Sequence, residues 1–290
     1  MRSYRHVLVH VSDSERSRHV LNCAARIAAS QEASVSAVHA MQPPYLGAYL
    51  SPETAMAAAQ FTADALRKRA AAARDRVLES DRASGLRIGF ESHGGDPVAT
   101  MTGRSRVADL VVVGQPAEDD VAGPSPRFAS QLLVGAGCPV LFVPHAGSID
   151  NCGSTVLVAW SATRESARAL RDALPILQRA TRVEVVRFGA DPQSGIAEPL
   201  DAVVAYLGAH GVHATGAVKA VREISIGERM LTPTVVDASI AELLLSHAAD
   251  MNADLIVMGG YGHTRAYEFL LGGVTRTMLA SMTVPVLMSH

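Results

Sequence analysis

The chain has 290 residues, 26 Lys and Arg against 28 Asp and Glu, and a formal net charge of −2. With 48% hydrophobic and 19% charged residues it reads as a soluble globular protein, and no apolar run reaches the roughly 18 residues that a membrane-crossing helix needs. A near-neutral balance without a dense Lys/Arg stripe also excludes the electrostatic footprint of a nucleic-acid binder, so neither nucleic acid nor membrane is an expected partner.

The first segment, MRSYRHVLVHVSDSERS, breaks its apolar run too early for a signal peptide, and a cytoplasmic location is expected. HVLVH from His6 reads as a buried strand, and an Arg/Ala/Leu helix follows it. VSAVHAM from Val35 is a second strand. The Ala-rich run from Ser51 to Ser80 predicts a long helix, with Ser51 able to cap it and Pro52 in the first turn. ADLVVVG from Ala108 and PVLFVP from Pro139 are further strands. The series then restarts. TVLVAWSATRES from Thr155 repeats HVLVHVSDSERS, a helix is expected over Glu165–Ala180, and VEVVRFG from Val183 repeats VSAVHAM. A shorter helix around EPLDAVVAYLGAHG comes next, then an extra stretch from Arg222 to Asp237. Ile224 and Ile226 alternate there with polar neighbours, which suits a short added strand, an arm or a surface loop. ASIAELLLSHAADM is helical, ADLIVMG from Ala253 repeats ADLVVVG, and PVLMSH from Pro285 repeats PVLFVP.

Blocks recurring in one order at nearly one interval mean two homologous domains, 1–148 and 149–290. The strands are continuous apolar runs, the mark of burial on both faces, and they alternate with helices. The fold class is therefore α/β, with two doubly wound parallel sheets joined by right-handed crossovers.

Open parallel sheets bind ligands beyond the carboxyl ends of their strands. At that edge of the second copy the chain reads GGYGHTRAYEFLLGGVTR. Gly259 and Gly262 would line a phosphate cradle of backbone amides, and Gly272, Gly273, Val274 and Thr275 would present the start of a helix. His263, Arg265 and Arg276 could add donors or positive charge. The same glycines could serve only a tight corner and close packing. The chain has no Gly-Lys-Ser/Thr ending of a P-loop, and its glycines follow a late strand, unlike a dinucleotide fingerprint. There is no Gly-x-Ser-x-Gly elbow, and SATRES lacks the glycines of an adenylate-forming loop. Trp160 could stack on a base or simply cover the strand end. His6 and His10 lack neighbouring ligands at metal spacing, Cys23, Cys138 and Cys152 share no metal-ligand pattern, and their odd number argues against a disulfide framework.

The two strand-first copies, the spacing of Gly259, Gly262 and Gly272, and the closing VPVLMSH strand together resemble a tandem universal stress protein, over essentially the whole chain. The resemblance implies a Rossmann-like, adenine-nucleotide alpha-hydrolase-like sheet of five parallel strands per domain and pairing of domains through the last strand. It implies no settled reaction, but in one branch it implies binding of ATP or a related adenine nucleotide, ADP or AMP, with or without Mg²⁺. The site it implies comprises Ser161, Gly259, Gly262, His263, Arg265, Gly272, Gly273, Val274 and Thr275, with no catalytic residue and no metal ligand assigned. Two departures stand out. Gly273 takes the place of a hydroxyl residue, which only Thr275 could replace, and Ser161 (Ser12, followed by Asp13, in the first copy) takes the place of an Asp at the first strand tip. In the first copy Glu118, Asp119 and Asp120 would lie where phosphates would, so that copy is expected to be a degenerate partner. Three readings follow: a nucleotide-binding regulatory module, a slow ATP hydrolase using the same pocket, or a nucleotide-free dimeric scaffold. The last strands predict an intramolecular pseudo-dimer and allow a homodimer.

Overall fold

The computed structural model describes residues 3–41, 52–117, 119–120, 123–146, 151–189, 200–220, 233–261 and 273–290. It contains two compact units, Tyr4–Gly137 and one built from Cys138–His290. In the first, the elements are β1 (His6–His10), α1 (Ser17–Gln31), β2 (Ser34–Met41), α2 (Pro52–Ser84), β3 (Ile88–Gly94), α3 (Pro97–Ser105), β4 (Leu110–Gly114) and α4 (Pro126–Gly135). The strands lie parallel in the order β3-β2-β1-β4. The chain order reverses between β1 and β4, which makes their carboxyl ends the switch point.

The helices form where local chemistry favours them. Apolar Val20, Leu21, Ala24, Ile27 and Ala28 put one stripe of α1 into the core. Asp96 accepts the Val98 amide at 3.0 Å and Ser125 the Phe128 amide at 3.1 Å, each ahead of a proline in the first turn, so α3 and α4 begin at capped positions. α2 is the long helix expected, running on to Ser84; Ser51, its expected cap, lies outside the described residues.

The second unit contains β5 (Val140–Val143), β6 (Thr155–Ala159), α5 (Arg164–Asp172), α6 (Leu174–Leu177), β7 (Arg182–Gly189), α7 (Leu200–Ala209), β8 (Ala214–Ala220), α8 (Pro233–Asp250), β9 (Leu255–Gly259), α9 (Gly273–Ser281) and β10 (Val286–Ser289). Its strand order is β5-β10-β9-β6-β7-β8. All neighbours are parallel except β5 and β10, which run antiparallel with Leu141 opposite Leu287. The fifth strand of the first repeat thus completes the second unit, because the wholly buried edge of β10 needs a partner for its backbone groups.

Two details differ from the expected elements. The helix foreseen over Glu165–Ala180 divides at Ala173 into α5 and α6, since Pro175 cannot donate the amide hydrogen that would continue the first helix. The helix foreseen from Ala238 begins earlier, at Pro233, so the end of the extra stretch is helical; Ile224 and Ile226 lie outside the described residues.

The repeated Ala-Asp-Leu block has a structural role. The Asp109 carboxylate accepts the amides of Arg5 and His6 at 2.7 and 2.9 Å. Asp254 accepts those of Gly153, Ser154 and Thr155 at 2.9–3.1 Å. In each repeat one carboxylate satisfies the unpaired amides at the entry of the first strand and anchors it beside the fourth.

Candidate functional site

In the second unit the chain order reverses between β6 and β9, whose carboxyl ends lie side by side with Ala159 opposite Met258. From β6 the chain passes through Trp160, whose amide donates to the Val186 carbonyl, to Ser161 and Ala162. Ala162 has φ 54°. Thr163 then caps α5 reciprocally with Ser166: its hydroxyl accepts the Ser166 amide, and the Ser166 hydroxyl accepts the Thr163 amide. Ser161 is exposed, with its hydroxyl 3.2 Å from that of Thr163.

From β9 the chain passes through Gly259 and Gly260 to Tyr261, which has φ 59°. The Gly260 amide donates to the Ser289 carbonyl, and the His290 ring donates from Nδ1 to the Gly260 carbonyl at 3.1 Å. The helix α9 starts at Gly273, and its Val274 is half-buried. Thr275 is 3% exposed, and its hydroxyl accepts the Tyr261 amide at 3.4 Å. That hydroxyl therefore joins α9 to the loop after β9.

Gly259 has a packing reason of its own. A Cβ placed there would lie 2.6 Å from the Ser166 nitrogen and 2.8 Å from the Glu165 carbonyl carbon. Both are backbone atoms, so the first turn of α5 rests directly on the end of β9. The equivalent Gly114 of the first unit meets the tip of the Val20 side chain, at 3.3 Å.

Glu165 lies in the first turn of α5 and is 7% exposed. Burial raises its pKa, but its own amide, the Arg164 guanidinium and the Thr163 hydroxyl outweigh that and hold it below the usual carboxylate value. Arg164 donates to it at 3.1 Å.

Of the residues foreseen from the sequence, the structure gathers Ser161, Gly259, Gly273, Val274 and Thr275 around the β6 and β9 tips and the start of α9. Gly262, His263, Arg265 and Gly272 lie outside the described residues. The sequence reading missed Thr163, Glu165 and Ser166, although Thr-x-x-Ser before a helical run is a capping signal. It also missed Tyr261, whose left-handed backbone no residue type announces.

In the first unit the corresponding tips of β1 and β4 carry Ser12, Asp13, Ser14 and, after Gly114, Asp119 and Asp120; Glu118 is outside the described residues. His6 is tied at the strand start, with ring nitrogens 3.0 Å from the Val107 carbonyl and the Ser36 hydroxyl. His10 is buried against Phe128, ring centroids 4.8 Å apart. Among the described residues no three His, Cys, Asp or Glu side chains converge as metal ligands, and no helix is long and apolar enough to cross a membrane.

The family model for universal stress proteins matches residues 3–144 and again 154–290. Among solved structures, a universal stress protein from Archaeoglobus fulgidus is similar over 97% of both chains, at 17% identity and a TM-score of 0.70. A functionally unknown protein from Pseudomonas aeruginosa is similar over 98% of this chain and 92% of its own, at 14% identity and a TM-score of 0.57. No curated protein matches the chain. Two matched copies that together span nearly every residue, on a fold shared end to end with a member, place this chain in the universal stress protein family, in tandem form.

Proposed function

We propose that the chain is a cytoplasmic stress-response regulatory protein that binds one adenine nucleotide, ATP or its relatives ADP and AMP, at the carboxyl edge of its second repeat. The two repeats, 1–148 and 149–290, act as a pseudo-dimer in which the first is a degenerate partner. Ser161, Gly259, Gly262, His263, Arg265, Gly272, Gly273, Val274 and Thr275 would surround the ligand, with the free amides of α9 toward its phosphates.

The observation that carries the reading is the strain at this edge. Ala162 and Tyr261, just beyond β6 and β9, both hold left-handed backbone that costs a residue with a side chain about 1–2 kcal/mol. Among the described residues the other two of this kind, Glu32 and Asn252, lie at helix ends where that conformation is the ordinary stop. Described residues at the β1 and β4 tips show none. Strain of this kind collects at ligand sites.

A nucleotide-free scaffold is the second reading, favoured by the backbone of α5 against Gly259 and by the inward engagement of Thr275. A slow hydrolase has less support, since the Glu165 carboxylate in the first turn of α5 already accepts from Arg164. Thermal unfolding with and without millimolar ATP and Mg²⁺ separates these readings. Binding raises the midpoint by mass action, and Gly262→Val or Gly272→Val abolishes the shift. No shift with ATP, ADP or AMP in the parent chain would leave the scaffold.

A further inference from the structure

The carboxyl edge of the first unit is held by the chain's own carboxylates. The helix α1 begins after Arg16 without a side-chain cap, and the loop before it folds on itself. The Ser12 amide donates to the Ser17 hydroxyl at 2.9 Å, and the Ser14 amide to the Ser12 hydroxyl at 3.2 Å. Into this loop reach two acids from the connection between β4 and α4. Arg16 donates through both terminal nitrogens to Asp119 at 3.2 and 3.0 Å. Asp120 accepts the Ser14 hydroxyl at 2.7 Å and the Gly123 amide at 3.0 Å. A Cβ on Gly123 would lie 2.6 Å from an Asp120 oxygen, so a glycine there is what allows the chain to close over that carboxylate. From the other side, α2 fixes the same loop, Arg69 on Asp13 at 2.9 and 3.0 Å and Arg76 on Glu15.

A guanidinium fork, a hydroxyl and a backbone amide converging at the end of a parallel strand are the donors that phosphate oxygens take. Here two carboxylates take them. They are tethered to the same chain, so their effective concentration at these donors exceeds that of a dissolved anion. We propose that Asp119 and Asp120 form an autoinhibitory contact, an internal anion that keeps phosphate-bearing ligands off the first unit and whose removal uncovers a second phosphate-binding site. The choice of ligand class rests on the reading of the strand-end edge given under the proposed function. The contact itself does not depend on whether the second repeat is loaded.

The test uses the full chain, pyrophosphate and ATP as probes, calorimetric titration, and the ¹⁵Nε signal of Arg16. Asp119 has a side chain 75% exposed, so Asp119→Asn leaves the fold in place and removes the charge that faces the guanidinium most directly, while the Asp120 carboxylate stays 3.9 Å from Arg16; Asp120, at 12%, is more integral, and the double variant Asp119→Asn/Asp120→Asn opens the whole set. In the parent the Arg16 signal stays put as pyrophosphate is added. In Asp119→Asn it moves, with affinity at the first unit gained by about tenfold or more, the scale of removing a like charge beside a phosphate. The folded double variant takes up one equivalent of ATP more than the parent, from one to two, or from none to one if the second repeat binds nothing. That count separates failure of this proposal from failure of the functional reading above. An Arg16 signal that already moves in the parent, or one that stays fixed in Asp119→Asn, overturns the proposal, and the single variant decides the matter if the double variant does not fold.

Discussion

His10 ends β1 with 7% exposure against Phe128, and burial first, then the nearby His39, lower its pKa from 6.5 to about 4. Between those values the unfolded chain carries a proton that the folded chain does not, so stability rises with pH across the window and is lost as pH falls from 6.5 toward 4. A shift of that size is worth about 3 kcal/mol, of which about 2.5 is gone by roughly pH 4.5. The single tryptophan, Trp160, belongs to the other unit, so the suitable assay is hydrogen exchange of β1 and β2 amides. His10 should contribute about 2.5 kcal/mol to the fall in the opening free energy of these amides between about pH 7.5 and 4.5 in the parent. His10→Leu, apolar and unable to titrate, should lack most of that fall. His39, 2% exposed, is also lowered, by burial first, with Asp13 and Arg69 acting in opposite directions, and its share should remain in the variant. An equal fall in parent and variant would refute the argument that His10 is buried neutral.

Three further outcomes are expected. Gly259→Ala pushes the first turn of α5 off β9 and should cost about 1–3 kcal/mol by chemical denaturation; an unchanged midpoint would mean that α5 does not lie so close. Ala162→Gly relieves left-handed strain against a looser unfolded chain, so it should be neutral or stabilising by up to about 1 kcal/mol; a clear loss in the unfolding midpoint would contradict the strain assigned to this loop. Asp254→Ala leaves three amides without their carboxylate and should cost about 3 kcal/mol, more than Asp109→Ala with two, with Asp254→Asn recovering part of it; equal unfolding curves for parent and alanine variant would remove the anchoring role.

The sequence by itself determined the two repeats, the α/β class and the strand ends that its glycines follow. Those features are local: a strand covered on both faces must be a continuous apolar run, and a helix must show one apolar stripe, whatever lies beyond it. The runs LVVVG in β4 and LIVMG in β9 were legible for that reason, and the Asp-Pro and Ser-Pro pairs that open α3 and α4 carry their caps in adjacent letters.

Only the tertiary structure decided what each of these signals meets. The antiparallel pairing of β5 with β10 joins residues far apart in the chain, and the backbone of α5 that fills the space beside Gly259 belongs to a different βα unit. The Thr275 hydroxyl turned inward to Tyr261, and Asp119 and Asp120 closed on Arg16 and Ser14 across about a hundred residues of chain. Periodicity and spacing record what a residue does for its own element, whereas a partner brought by the fold leaves no mark in the neighbouring letters.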